Sequence, residues 1–241
     1  MAIQPFLAMT ASEIRKGSDF PQKIAWMACH FSPYGLGLSN LPRALPPQSL
    51  ILLDDITPIG KQDSEMITGQ LMDRIEGLAC SGVLLDFQRE GCPETKALVH
   101  HLTQALPCPV IVSDCYAKDL PCPVFLPPVP PSVPLEKHIS PWEGREIWLE
   151  IGLTGEVLTL TEQGCKTEPL PYPGNRSEGF AEKFLHCHYT IETTEKSAGF
   201  TLWRTEDDLI SLLNEAEKLG ISGSVGLHQE LSRFRPSRKP L

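Results

Sequence analysis

Positive charge is what this chain of 241 residues has least of: 21 Lys and Arg stand against 30 Asp and Glu, for a net charge of -9. Phosphate backbones are bound by clustered basic side chains, so a nucleic-acid partner is excluded. The one basic run is the tail "SRFRPSRKPL" (232–241), which reads as a frayed end. No stretch of roughly 18 apolar residues occurs, which excludes a helical membrane span. The start "MAIQPFLAMTASEIRKG" has no basic region followed by a long apolar one, so no export signal is expected, and a cytoplasmic protein is the simplest expectation.

Motifs for cofactors and metals are also missing. "YGLGLSN" (34–40) has a GxG but neither the third glycine nor the lysine of a phosphate loop. The eight cysteines, at 29, 80, 92, 108, 115, 122, 165 and 187, show no CxxC spacing and read as reduced, mostly buried thiols. "HCH" (186–188) offers His186 and His188 on one face if the segment is a strand, with Cys187 pointing away. Two ligands do not make a site, so they read as exposed hairpin histidines. In "HH" (100–101) the two rings of a helix lie roughly 100° apart, too far around it to share a ligand. No cofactor and no metal are therefore expected.

What the chain does have is a series of short apolar runs, each closed by polar or turn residues. They lie at 3–9, 23–31, 49–57, 81–88, 108–114, 122–129, 146–152 and 222–230. Their continuous rather than alternating hydrophobicity predicts eight strands covered on both faces, as in parallel sheets. Helical periodicity fills 64–80, 94–106 and 205–220, the last with Thr205 as N-cap, Asp208 three residues on, and Gly220 at its end. Strand and helix alternation over one domain, residues 1–241, predicts an α/β fold, a compact (β/α)8 TIM barrel, with an open doubly wound sheet as the alternative. Residues 153–201 break the pattern with hairpin and turn signals and read as a β-rich insertion before the last βα unit. The proline-rich "FLPPVPPSVP" (125–134) reads as a stiff loop after a buried strand, or as a polyproline ligand.

In a barrel, chemistry sits where strands end. Polar residues there are His30, Asp54, Asp55, Asp86, Gln88, Asp114, Glu150, His228 and Glu230. Carboxyls converging on one rim could protonate a leaving group, activate a water or hold a sugar, and equally could cap helices or pair with arginine. Tyr34, Tyr116, Trp142 and Trp203 are aromatics that could stack on a sugar or pack in the core.

At "CSGVLLDFQ" (80–88) the chain resembles the signature strand of the chitinase-like family 18 glycoside hydrolases, F-D-G-x-D-x-D-x-E at the end of the fourth barrel strand. Gly82, Val83 and Leu85 fit, Asp86 falls on the last aspartate and Phe87 on the aromatic position, while Ser81 and Leu84 replace the two earlier aspartates. Gln88 stands where the family has its catalytic glutamate. "LWRTEDDLISLLNEAEKLGISGSVGLHQE" (202–230) is similar to the family's closing unit, with Leu227 in place of its tryptophan. Placing "SGVLLDFQ" fourth also puts the β-rich insertion between the seventh and eighth strands, where the family carries one.

The resemblance implies that an acid protonates the glycosidic oxygen, that the sugar's acetamido group attacks, and that Asp86 orients that group. A glutamine amide cannot give that proton, although it keeps the size and hydrogen-bonding capacity of the acid. "VFLPPVPP" (124–131) also lacks the Tyr and Asp that the family's sixth strand presents. The implied function is a barrel without standard chitinase chemistry that binds an oligosaccharide or related polar ligand, with Asp86 and Gln88 at the centre. His30, Tyr34, Asp54, Asp55, Asp114, Tyr116 and His228 are then the candidate ligand contacts. The alternatives are a hydrolase using Asp86 with Glu90, Glu150 or Glu230, and a non-enzymatic scaffold.

Overall fold

A computed structural model of the chain describes residues 3–16, 23–32, 37–56, 59, 62–89, 91–170 and 179–231. In chain order its strands are β1 (Phe6–Met9), β2 (Ile24–Phe31), β3 (Leu38–Ser39), β4 (Leu50–Asp54), β5 (Gly82–Asp86), β6 (Val110–Ser113) and β7 (Val124–Leu126). These are followed by β8 (Ile147–Ile151), β9 (Gly155–Thr161), β10 (Gly164–Pro169), β11 (Phe180–Glu182), β12 (Cys187–Thr193), β13 (Ser197–Trp203) and β14 (Gly223–Leu227).

Eight of them, β1, β2, β4, β5, β6, β7, β8 and β14, pair side by side in parallel, and β1 pairs with both β14 and β2. The sheet is therefore a closed barrel, and each of the eight apolar runs supplies one strand. Alternate residues point inward. Phe6, Ala8, Ala25, Leu50, Leu52, Leu84, Ile111, Phe125 and Val225 fill the interior, with Met27 and Trp148 against them. The intervening residues, such as Ile51, Leu53, Val83 and Leu85, face an outer apolar layer shared with the helices. Burial on both faces is why these strands lack alternation in the sequence.

Two glycines are required by close approach. A Cβ on Gly82 would lie 2.7 Å from the Pro109 carbonyl oxygen, and one on Gly223 would lie 2.6 Å from the Trp148 ring. Gly223 thereby makes room for Trp148, which plugs the barrel beside Phe6 at 5.6 Å between ring centroids.

The helices α2 (Ser64–Leu78), α3 (Pro93–Ala105) and α6 (Glu206–Lys218) follow the expected periodicity. The Thr205 hydroxyl accepts from the Asp208 amide at 3.3 Å while Asp208 accepts from the Thr205 amide at 2.9 Å, a complete capping box. Four other helices are only four to six residues long: α1 (Ala11–Lys16), α4 (Asp114–Ala117), α5 (Leu135–Ile139) and α7 (His228–Leu231). No described helix follows β2, so the outer ring is incomplete among the described residues. None of the described helices is long and apolar enough to cross a membrane.

The insertion is a five-stranded antiparallel sheet in the order β10-β9-β13-β12-β11. Arg204, 2% exposed, fastens it to the barrel. Its guanidinium donates to the Val129 carbonyl, to Pro130 at 3.4 Å, to Leu185 at 3.3 Å, to His186 at 3.1 Å and to the Thr154 hydroxyl at 3.2 Å. Burial pulls its pKa down to about 10. The proline-rich loop is thereby pinned, and the Ser132 amide adds a bond to the buried Glu156.

The expectation for "HCH" is corrected here. Strand β12 begins at Cys187, and His186 precedes it at φ 50, so the two imidazoles do not share a strand face. His186 bonds Ser211 at 2.9 Å, while His188 bonds Asp208 at 2.8 Å and stacks on Trp203.

Replacing Arg204 by Leu removes the guanidinium from the Val129, Pro130, Leu185 and His186 carbonyls, of which Pro130 keeps the Val133 amide at 3.0 Å. The expected loss is about 2–4 kcal/mol of stability, read as a lower urea midpoint. An unchanged midpoint would contradict the fastening role.

Candidate functional site

The inward alternation that packs the barrel delivers acids at its C-terminal end. Leu52 is followed two residues on by Asp54, Leu84 by Asp86 and Trp148 by Glu150, and Asp54 is the register partner of Asp86. The three carboxyls line one open cleft of about 240 Å³. Ala8, Met27, Leu52, Phe125 and Val225 form its apolar part, and Asp55, Ile56, Gln88, Arg89, Gly226 and Leu227 complete the lining.

Burial pushes the Asp86 pKa up; a hydrogen bond from the Gln88 amide opposes this, and the nearby Asp54 and Asp55 add to it. That bond runs from Gln88 Nε2 to Asp86 Oδ1 at 2.5 Å. Glu150 is pushed up to about 7 by burial, with Asp86 and Glu230 adding to the effect. Like charges in a poorly solvated space disfavour simultaneous ionisation.

Solved structures with the same architecture carry recognisable names. A spore cortex-lytic enzyme, SleL of Bacillus cereus, superposes with a TM-score of 0.57 at 10% identity, over 93% of this chain and 70% of its own. A GH18 chitinase of Cycas revoluta in complex with (GlcNAc)3 gives 0.57 at 10% identity over 93% and 94%. A Glu-to-Gln variant of the class V chitinase of Nicotiana tobaccum in complex with NAG4 gives 0.56 at 8% identity over 94% and 93%. The chain has a TIM-barrel fold similar to that of the GH18 chitinase. At these identities the likeness is one of fold. No protein-family model matches the chain, and no curated protein matches it.

Within that barrel, β5 is the fourth strand, as the signature requires, and Gln88 stands just beyond its end. Its position is fixed by Asp55, 4% exposed, whose carboxylate accepts from the Gln88 amide at 2.9 Å and the Arg89 amide at 2.8 Å. Arg89 returns the bond, donating to the carbonyls of Asp55 at 2.8 Å and Ile56 at 2.6 Å. Asp55, expected to be a ligand contact, lines the cleft and also braces the loop.

The expectation for Tyr116 is corrected. It lies behind the strand, edge-on to Phe87 at 6.3 Å, and its hydroxyl donates to the Arg89 carbonyl. Asp114 opens α4 and accepts from the Cys115 amide at 2.8 Å, apart from the cleft lining. His228 is engaged by Glu13 at 3.1 Å, where Glu13 also closes the turn at Thr10. Trp203 is buried and Trp142 stacks under Arg145, so neither lines the cleft. Tyr34 and Glu90 lie outside the described residues.

His30 stands at the rim, half exposed, with Nδ1 3.9 Å from Asp54 Oδ2. An extra residue in β2 between Trp26 and Cys29 puts both Ala28 and Cys29 in the outer layer, and His30, near Asp54, is not among the residues that line the cleft. Glu230 reaches over from α7, and its Oε2 accepts from the Leu153 amide at 3.1 Å. Met27, Phe125 and Arg89 line the cleft without having been singled out. The first two follow from inward alternation once the register is known; Arg89 carries no signal of its own. No group of three or more described His, Cys, Asp and Glu could hold a metal ion.

The Glu150 shift has a sign that can be tested. Its pKa rises from 4.5 to about 7 in the folded chain, so the stabilisation is full below about pH 4.5 and is lost as pH rises through about 7. The loss is on the order of 3 kcal/mol. Urea midpoints between pH 4.5 and 8.5 should fall markedly more for the native chain than for Glu150→Gln. Parallel curves would contradict the placement of Glu150.

Proposed function

We propose that the cleft binds a short carbohydrate of the N-acetylglucosamine type, or a related polar ligand, and that it does so without the standard chitinase step. The observation that carries this is Gln88 at the acid position, its amide committed to Asp86 at 2.5 Å inside the cleft. An amide holds hydrogen-bonding partners but has no proton to give a leaving oxygen.

The size and chemistry of the cleft support the same reading. At about 240 Å³, just under the usual range of roughly 300–1,000 Å³ for small-molecule sites, it limits the enclosed part of a ligand to a small unit. Apolar surface from Phe125, Leu52 and Val225 lies beside carboxyl and amide groups, the mixture that a pyranose with its CH faces and hydroxyls demands. Anionic ligands such as nucleotides are disfavoured by Asp54, Asp86 and Glu150 together. The Cycas chitinase in complex with (GlcNAc)3 and the tobacco variant in complex with NAG4, both of the same fold, make N-acetylglucosamine oligomers the first ligands to try.

Titration calorimetry with N-acetylglucosamine oligomers of two to four units should give saturable heat that Asp86→Ala removes. Absence of heat with these oligomers and with peptidoglycan fragments would refute the proposal.

A further inference from the structure

Gln88 removes one proton donor, yet the cleft holds a second carboxyl placed to act. We propose that Glu150 is the proton donor of this cleft and works with Asp86 to hydrolyse a glycosidic bond; this rests on the glycan reading given above.

Glu150 ends the inward face of β8 and Asp86 that of β5, three strands apart around the closed ring, and both line the same cleft. Their surroundings divide the roles. Asp86 accepts the Gln88 amide hydrogen, which favours the carboxylate. No described donor reaches the Glu150 carboxyl, and burial together with Asp86 and Glu230 keeps it protonated up to about pH 7. Burial and the neighbouring Asp54 and Asp55 push Asp86 the other way, and the Gln88 bond opposes them. His30 stands at the outer edge of Asp54. Glu230 is tied to the Leu153 amide, and the Arg89 guanidinium is committed to the Asp55 and Ile56 carbonyls. A carboxyl that holds its proton and a carboxylate that accepts a hydrogen bond, carried by two strands that flank one cleft, are the groups that acid–base cleavage of a glycosidic bond requires.

The step balances without any further reactant than water. Glu150 gives its carboxyl proton to the glycosidic oxygen, and the bond from the anomeric carbon to that oxygen breaks with its electron pair staying on the leaving hydroxyl. A water oxygen bonds to the anomeric carbon and its proton passes to Asp86. Proton exchange with solvent then restores both carboxyls.

The test compares two substrates on the full chain: the trisaccharide of N-acetylglucosamine, whose leaving sugar needs a proton, and the 2,4-dinitrophenyl β-glycoside of N-acetylglucosamine, whose leaving group does not. The native chain should cleave both, with trisaccharide kcat/KM falling as pH rises through about 7. Glu150→Gln should lower trisaccharide kcat/KM by about 10²–10⁴-fold, with the dinitrophenyl rate little changed. A thermal melt verifies that the variant folds, and Glu150→Asp, which keeps an acid on a shorter arm, should slow the trisaccharide more than the dinitrophenyl substrate. Equal slowing of both substrates by Glu150→Gln would overturn the role. So would absence of turnover by the native chain, even where calorimetry still records binding.

Discussion

Crowding of acids inside a closed ring is the constraint on which the site depends. Strand alternation turns Asp54, Asp86 and Glu150 into one small cleft, and a cleft floored by Leu52, Phe125 and Val225 solvates charge poorly. Burial pushes the pKa values of Asp86 and Glu150 up, and Asp86 adds to the shift of Glu150. The Gln88 amide opposes the rise at Asp86 by donating to it. A glutamate at the same place would add a further acid to the cluster and take away the donor.

The remainder of the structure keeps that cluster in place. Gly82 lets β5 lie against the start of β6, so that the strand carrying Asp86 enters the ring at the required height. Beyond its end, the brace from Asp55 on one side and the Tyr116 hydroxyl on the other leave the Gln88–Arg89 turn little freedom. On the far side Glu230 holds the Leu153 amide, where β8 leaves the barrel for the insertion. Arg204 then ties that insertion to the loop after β7.

The eight strands were legible in the sequence because burial on both faces leaves an unbroken apolar run that turn residues close. The capping box at Thr205, the insertion between the seventh and eighth barrel strands, and the fourth-strand position of "SGVLLDFQ" were legible for the same local reasons. Direction and pairing were not. Asp54 and Asp55 both line the cleft, yet only the buried Asp55 is tied to the Gln88 and Arg89 amides, a pairing that the sequence does not signal. Tyr116 looked like a rim aromatic because it follows a strand, yet the short α4 carries it behind Phe87. The extra residue in β2 that shifts the strand before His30 leaves no compositional trace, and a left-handed residue at His186 breaks the strand face on which "HCH" depended. Each miss concerns which way a side chain points or what it pairs with.

The central claim is that a saccharide occupies the cleft between Asp86 with Gln88 on one side and Glu150 on the other. The most direct measurement is a crystal structure of the protein with the trisaccharide of N-acetylglucosamine. The account predicts a sugar ring seated in the cleft, hydrogen-bonded to Asp86 and Gln88 and within reach of Glu150. A saccharide bound elsewhere, with the cleft closed by its own side chains, would contradict it.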